Sequence, residues 1–242
     1  GLTRLLEASF ADWKAPETPP PAKNFAAAPP APQPRIILVD RPASPQSLIY
    51  GGAVLAARGT DDLLELKSAN DVMGGNFLSR LNMNLRETKG WSYGVGSAIR
   101  DPLESAWFVV QAPVQADRTG DSIAELRNDM KAFVTAKGLT PGELEWTTNG
   151  SARELPGSFE TNGDVLDGMV RTITYGRPDN FYETLADRYR AMTVTGLDKA
   201  ARAAIAPDRL TWVVVGDRKV VEPQLAKLGL PVEIVAADSA GQ

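Results

Sequence analysis

Eight of the 18 prolines in this 242-residue chain fall within residues 16–34, interleaved with alanine and accompanied by only two charges, Glu17 and Lys23. Proline fixes φ and lacks a backbone donor, so a stretch this rich in it can enter neither a helix interior nor a sheet ladder. Residues 16–34 are therefore expected to form a semi-rigid, polyproline-like linker, or a strap laid along a neighbouring surface. The fold must come from what lies on either side. Residues 1–15 have helical spacing, with Leu2, Leu5, Leu6, Phe10 and Trp13 on one side. One helix of that length cannot bury its apolar face alone, and it reads as the terminal helix of a preceding domain. The main domain is then 35–242. Its own tail, a strand followed by a helix ending at Leu228-Gly229, echoes that first helix and suggests that the preceding domain is homologous.

Within the main domain the strands are short apolar runs. Arg35–Asp40 predicts a buried strand, residues 41–45 a turn, and Gln46–Val54 a second strand whose Gly51 and Gly52 either weaken it or admit a close neighbour. A helix is predicted over 63–73, stopped at Gly74 and Gly75. Asn76 is read as the cap of a second helix that runs to Lys89 and ends at Gly90. Residues 91–99 and 107–114 predict two strands joined at Asp101-Pro102. The pattern is then helical over 119–137, over 141–155 behind a Thr140-Pro141 start with Glu143 as capping-box partner, and over 162–175, 180–192 and 196–205. A last strand over 210–215 feeds a helix over 220–228. Strands and helices are partly segregated rather than alternating, which predicts an α+β fold: a mainly antiparallel sheet with helices packed over one face.

Composition excludes several functions. There is no His and no Cys, which removes the commonest zinc ligand, thiolate metal sites, cysteine catalysis, disulfides and the base of a Ser-His-Asp triad. The 26 basic and 30 acidic residues leave a net charge of −4, without the basic footprint of a nucleic-acid partner. The apolar runs, such as residues 36–39 and 212–215, are strand-sized, so no membrane span is expected. No phosphate-binding glycine loop occurs, and Gly94-Val95-Gly96 does not sit at a strand-to-helix turn.

The segment from Gly74 to Ser97 is the most informative. As a helix it aligns Phe77, Leu78, Leu81 and Leu85 in an apolar stripe and Ser79, Asn82 and Arg86 in an adjacent polar one. Gly90 then reverses the chain, so that Tyr93, seven residues after Arg86, returns beside the helix end. The glycine pair is either a simple helix stop or a backbone surface for a peptide. The second reading makes Gly74, Gly75, Asn76 and Asn82 candidate substrate contacts. Strand parity groups Tyr93 with Trp91, Val95 and Ile99, which on residue habits alone would make it a core tyrosine and Arg86 a solvated helix residue.

Asn82-x-x-Leu85-Arg86 followed by Tyr93 resembles the carboxyl-terminal half of the insulinase/pitrilysin family of zinc metallopeptidases, the inverzincins, in which an R-x6-Y pair follows an N-x-x-L-R helix. Arg41-Pro42 with Pro45-Gln46, and the run from Trp212 to Gly216-Asp217, extend the resemblance over about 35–228. It implies a non-zinc-binding, "inactive" domain of a clamshell peptidase that closes around a peptide. Zinc would be held in a partner half by an H-x-x-E-H helix, and Arg86 and Tyr93 would stabilise the oxyanion of the substrate carbonyl. The alternative is a non-catalytic scaffold or peptide-holding subunit of the same family. Related bacterial proteins are often exported, so the resemblance implies the periplasm, with the cytoplasm as the other compartment. The partners expected are the zinc-bearing half and a peptide, and no cofactor is expected in this chain itself. Without His or Cys, the chain dialysed against zinc is expected to retain no stoichiometric metal and to hydrolyse no peptide by itself. One zinc per chain held by protein side chains in elemental analysis contradicts this.

Overall fold

The apolar runs at the two ends of the main domain become neighbouring strands. In the computed structural model, which describes residues 1–14, 18 and 33–236, six strands form one sheet: β1 (Arg35–Asp40), β2 (Gln46–Val54), β3 (Gly96–Arg100), β4 (Trp107–Gln115), β5 (Thr211–Gly216) and β6 (Val232–Val235). Their order is β3-β4-β2-β5-β1-β6. The β3/β4, β4/β2 and β2/β5 pairs are antiparallel, whereas β1 is parallel to both β5 and β6. The sheet is thus mainly antiparallel, as predicted. β6 has no counterpart in the sequence reading, because four residues flanked by loops give too short an alternation to register.

Period-two patterning sorts the side chains by face. Ile36, Leu38, Ile49, Phe108, Val110, Val114, Trp212 and Val214 are buried in one core with apolar residues of the helices. Their alternates, including Ile37, Val39, Leu48, Val109, Val213 and Val215, are only half-buried, and Tyr50, Val54 and Trp107 are exposed. One sheet face therefore carries the helical layer, and among the described residues of this unit the other is open. Gly51 supports this packing directly, because a β-carbon there would lie 2.6 Å from the Trp212 ring. The glycine is a close approach, not a weak point.

The chain divides into Gly1–Pro30 and Ala31–Gln242. The first unit holds helix α1 (Leu2–Ser9). The linker expected over 16–34 falls almost wholly outside the described residues. In the second unit, α2 (Leu64–Asn70) continues into a π-helical turn, Asp71–Gly75. The short α3 (Arg80–Asn82) continues into a second π turn, Met83–Thr88. Then come α4 (Thr119–Val134), α5 (Pro141–Glu154), α6 (Asn162–Thr174), α7 (Phe181–Arg190), α8 (Val194–Ala204) and α9 (Arg218–Leu225). The capping box expected at Thr140 and Glu143 is present, and a second one joins Thr161 to Asp164. Helix α6 is an exception to the amphipathic rule, since Gly168 is its one buried residue while Leu166, Met169, Val170 and Ile173 are exposed.

The helix predicted from Asn76 begins later. Asn76 instead accepts a hydrogen bond from Leu78 N at 3.2 Å in a local turn, and helical backbone starts at Arg80 behind Ser79. Phe77 and Leu78 therefore leave the predicted apolar stripe and are exposed, while Leu81 and Leu85 are fully buried. Arg80 fixes the orientation of this helix. Its Nε and Nη2 donate to the Glu143 carboxylate at 2.7 and 2.6 Å, and Nη2 also donates to Gly138 O.

Asp71 opens the first π turn. Burial pushes its carboxyl from 3.8 up to about 6, the nearby Glu154 carboxylate adds to the rise, and Lys67 opposes it. Because the folded pKa is the higher one, the sign is clear. At pH below about 4 both states are protonated and there is no penalty. Stability falls as the pH rises toward about 6, where the unfolded chain is already ionised and the folded one is not. At about 1.4 kcal/mol per pKa unit, the full cost above pH 6 is roughly 2–3 kcal/mol.

Two measurements check this architecture. Asp71→Asn is expected to match the parent in denaturant titrations near pH 4 and to exceed it by roughly 2–3 kcal/mol at pH 7. A pH-independent difference would mean that the charge is not what is penalised. In the helical layer, Leu126→Ala removes a fully buried side chain and is expected to cost about 2–5 kcal/mol. Ile173→Lys on the exposed face of α6 should stay within about 0.5 kcal/mol.

Candidate functional site

The sheet supplies the site by failing to continue. β3 pairs with β4 only from Gly96↔Gln111 to Arg100↔Trp107, and the next residue of β4 that would donate toward β3 is Pro113, which has no N–H. Beyond it the pairing resumes as a single bridge, Ser92↔Val114. Ser92 Oγ donates to Pro113 O at 2.5 Å and accepts from Gly94 N at 3.1 Å. Residues 91–95 are thus a braced loop, not the regular strand that was expected.

This geometry moves Tyr93 out of the core. Its side chain is 90% exposed, which removes the core-tyrosine reading. Parity over 91–99 assumed a continuous strand, and the proline interrupts it. Pro113, in the middle of a run that otherwise reads as an interior strand, was the available signal.

Arg86 lies on the second π turn, half-buried. Its guanidinium stacks over the Phe77 ring at 4.3 Å from the centroid and lies 3.3 Å from the Glu87 carboxylate. The exposed Phe77 is thereby explained as the platform for the arginine. The same turn is anchored to α4 through Asn84, whose Nδ2 donates to Glu125 at 3.0 Å and to Asp129 at 2.7 Å. The Asn84 hydrogen bond lowers the Glu125 pKa, whereas burial raises that of Asp129.

Asn82 connects the two residues. It is 3% exposed, its Nδ2 donates to Phe77 O at 2.7 Å and its Oδ1 accepts from Val95 N at 2.9 Å. One amide holds both the loop that stacks on Arg86 and the loop that carries Tyr93. The other end of the Tyr93 loop is tied by Trp91 N donating to Leu85 O at 3.0 Å. Asn82, expected among the substrate contacts, is thus placed as a buried brace between these loops.

Gly74 and Gly75 do line a groove, of about 380 Å³, on the open face of the sheet beside edge strand β3. Gly94, Gly96, Ala98 and Gln111 complete its walls. Gly74 has no room for a β-carbon, which would lie 2.3 Å from Ser97 Oγ. Asn76 is exposed outside this groove and makes the local turn described above. Gly94 and Gly96 carried no expectation from the sequence, where they had been weighed only as a nucleotide motif. Tyr93 immediately precedes Gly94, one of the residues that line the groove.

Zinc does not fit this donor set. The sequence offers neither His nor Cys, and no group of three or more Asp and Glu side chains converges among the described residues. Nor is any described helix long and apolar enough to cross a membrane.

Residues 1–149 match the family model described as the peptidase M16 inactive domain. A non-peptidase homolog from Helicobacter pylori is 26% identical over 177 residues, covering 72% of this chain and 40% of that protein. An uncharacterized zinc protease from Mycobacterium tuberculosis is 26% identical over 204 residues, covering 84% of this chain and 44% of that protein. The chain thus spans less than half the length of these relatives. Among solved structures, a peptidase M16 inactive domain from Pseudomonas fluorescens shares the fold with a TM-score of 0.72 at 23% identity, over 84% of this chain and 47% of that one. With most of its length under that family model and its six-stranded α+β architecture matched, the chain belongs to the M16 zinc peptidases, the insulinase/pitrilysin family, as their inactive domain.

Proposed function

We propose that this domain clamps a peptide for hydrolysis by a zinc-bearing partner half, with Arg86 and Tyr93 donating hydrogen bonds to the carbonyl oxygen under attack. The observation that carries the reading is the placement of Tyr93. Its phenol is 90% exposed, yet it stands on a loop tied at both ends to the helix that bears Arg86. A structural tyrosine is buried and an idle one is not braced on two sides, so the arrangement suits a group held ready for something outside this domain.

The chemistry follows from charge. Negative charge develops on a peptide carbonyl oxygen as the carbon becomes tetrahedral, and fixed donors aimed at it bind the transition state more strongly than the ground state. Arg86 supplies a permanent cation whose plane is set by stacking on Phe77. Tyr93 supplies a neutral O–H. The groove along β3 and the half-buried apolar residues of the open face offer an extended peptide a sheet edge and a surface for its side chains.

A second reading has one specific support: the Helicobacter pylori relative is named a non-peptidase homolog. In that case the domain would hold peptide or partner without contributing to hydrolysis.

The experiment uses the chain assembled with its zinc-bearing half. Tyr93→Phe and Arg86→Lys are each expected to lower kcat about 10²- to 10³-fold, the usual cost of one oxyanion donor, with the melting temperature unchanged. Full turnover in both variants would withdraw the catalytic assignment. An assembled complex in which the parent chain also shows no turnover would favour the holding role.

A further inference from the structure

Away from Arg86 and Tyr93, a pocket of about 210 Å³ lies where the 59–62 loop and the start of α2 meet Asp101 and the α6–α7 turn. Three cations and three carboxylates line it. Two pairs neutralise each other: Lys67 Nζ lies 2.6 Å from Asp101, and Arg188 Nη2 lies 2.5 Å from Asp62. The guanidinium of the third cation, Arg177, has no carboxylate partner and no hydrogen bond among the described residues. It is instead held against two rings, 4.4 Å from the Phe181 centroid and 5.0 Å from that of Tyr175. Tyr175 is itself fixed, its hydroxyl donating to Asp101 O at 2.9 Å.

A guanidinium stacked in this way keeps its planar fork of donors while losing the freedom that would make binding costly. Half-buried, it cannot be fully hydrated either, and an anion that accepts both donors of the fork restores what burial removes. We propose that this pocket binds a carboxylate, taken bidentately by Arg177, from the end or the side chain of a peptide. The surrounding acids define the ligand further. Asp61, the lining acid outside the two ion pairs, repels a dianionic phosphate more strongly than a monoanion, and the carboxylate is the planar match to the fork. The volume admits about one amino-acid residue. This inference rests on the pocket alone and stands or falls independently of the role assigned to Arg86 and Tyr93.

The test titrates the full chain, labelled for amide NMR, with N-acetyl-leucine, its amide, N-acetyl-glutamic acid α-amide and inorganic phosphate. The two carboxylates are expected to give saturable shifts at Thr60, Gly176 and Arg177, with Kd on the order of a millimolar for ligands this small. The uncharged amide should give none. Tighter binding of N-acetyl-leucine identifies a chain terminus as the natural group, and tighter binding of the glutamate derivative identifies an acidic side chain. Arg177→Lys and Arg177→Gln, checked for an unchanged melting temperature, should weaken binding at least about tenfold, because neither keeps a bidentate cation. Equal binding of acid and amide, tighter binding of phosphate, shifts confined to other regions, no saturable shift, or undiminished affinity in both variants would each overturn the proposal. The shifts in the unsubstituted protein decide it even if a variant fails to fold.

Discussion

Strand β5 is the constraint on which the rest of this domain depends. It lies between β2 and β1, antiparallel to one and parallel to the other, and without it those two strands have no common neighbour. It enters the sheet only after the long helical stretch that follows β4, so its pairing closes a large loop whose entropy must be offset by burial. Trp212 meets much of that demand. Its fully buried ring lies against Gly51 of β2, and Val214 beside it faces the same core. A bulkier residue at position 51 would have to displace an aromatic ring at the centre of the sheet.

With the sheet closed, its far side can afford irregularity. β4 is held along its length by β2, so its other edge tolerates Pro113, and the loss of one donor there releases residues 91–95 from regular pairing. What might have been two more residues of ladder becomes a loop that projects an exposed tyrosine. The helix opposite is just as irregular, with α-helical backbone giving way to a π turn before Arg86. π turns within helices shift the direction in which side chains point and are frequent at functional sites. Rigidity comes from the brackets around these irregularities: Asn82 to both loops, Asn84 to α4 and Arg80 to α5. The role proposed for Arg86 and Tyr93 depends on such support, since a loosely held donor would lose its advantage to reorganisation.

The distribution of apolar surface agrees with a domain that works beside other polypeptide. The open sheet face is largely aliphatic, and α6 turns Leu166, Met169, Val170 and Ile173 outward while burying only a glycine. Contiguous apolar surface on a soluble domain generally marks an interaction region.

The sequence by itself determined the α+β class, the positions of β1 and β2 to the residue and the capping box at Thr140, while Arg86 and Tyr93 were singled out by the spacing that carries the family resemblance. These are local properties: alternation, cap chemistry and a spacing of seven are written in consecutive residues. It also removed imidazole and thiolate as metal ligands, because no arrangement creates either from a chain without His or Cys. Tertiary structure alone decided the rest. Whether Tyr93 faces the core or the outside depended on which strand Pro113 would face, 20 residues away in sequence. Asn82 looked like a polar residue available to a ligand and proved to be a buried brace, because both groups that it bonds lie outside its own helix. Phe77 looked like core and became the platform for a guanidinium, since the helix it was assigned to starts three residues later. Arg177 sits between Tyr175 and Phe181 in the sequence, but the pocket around it forms only when the α6–α7 turn packs beside the 59–62 loop and Asp101.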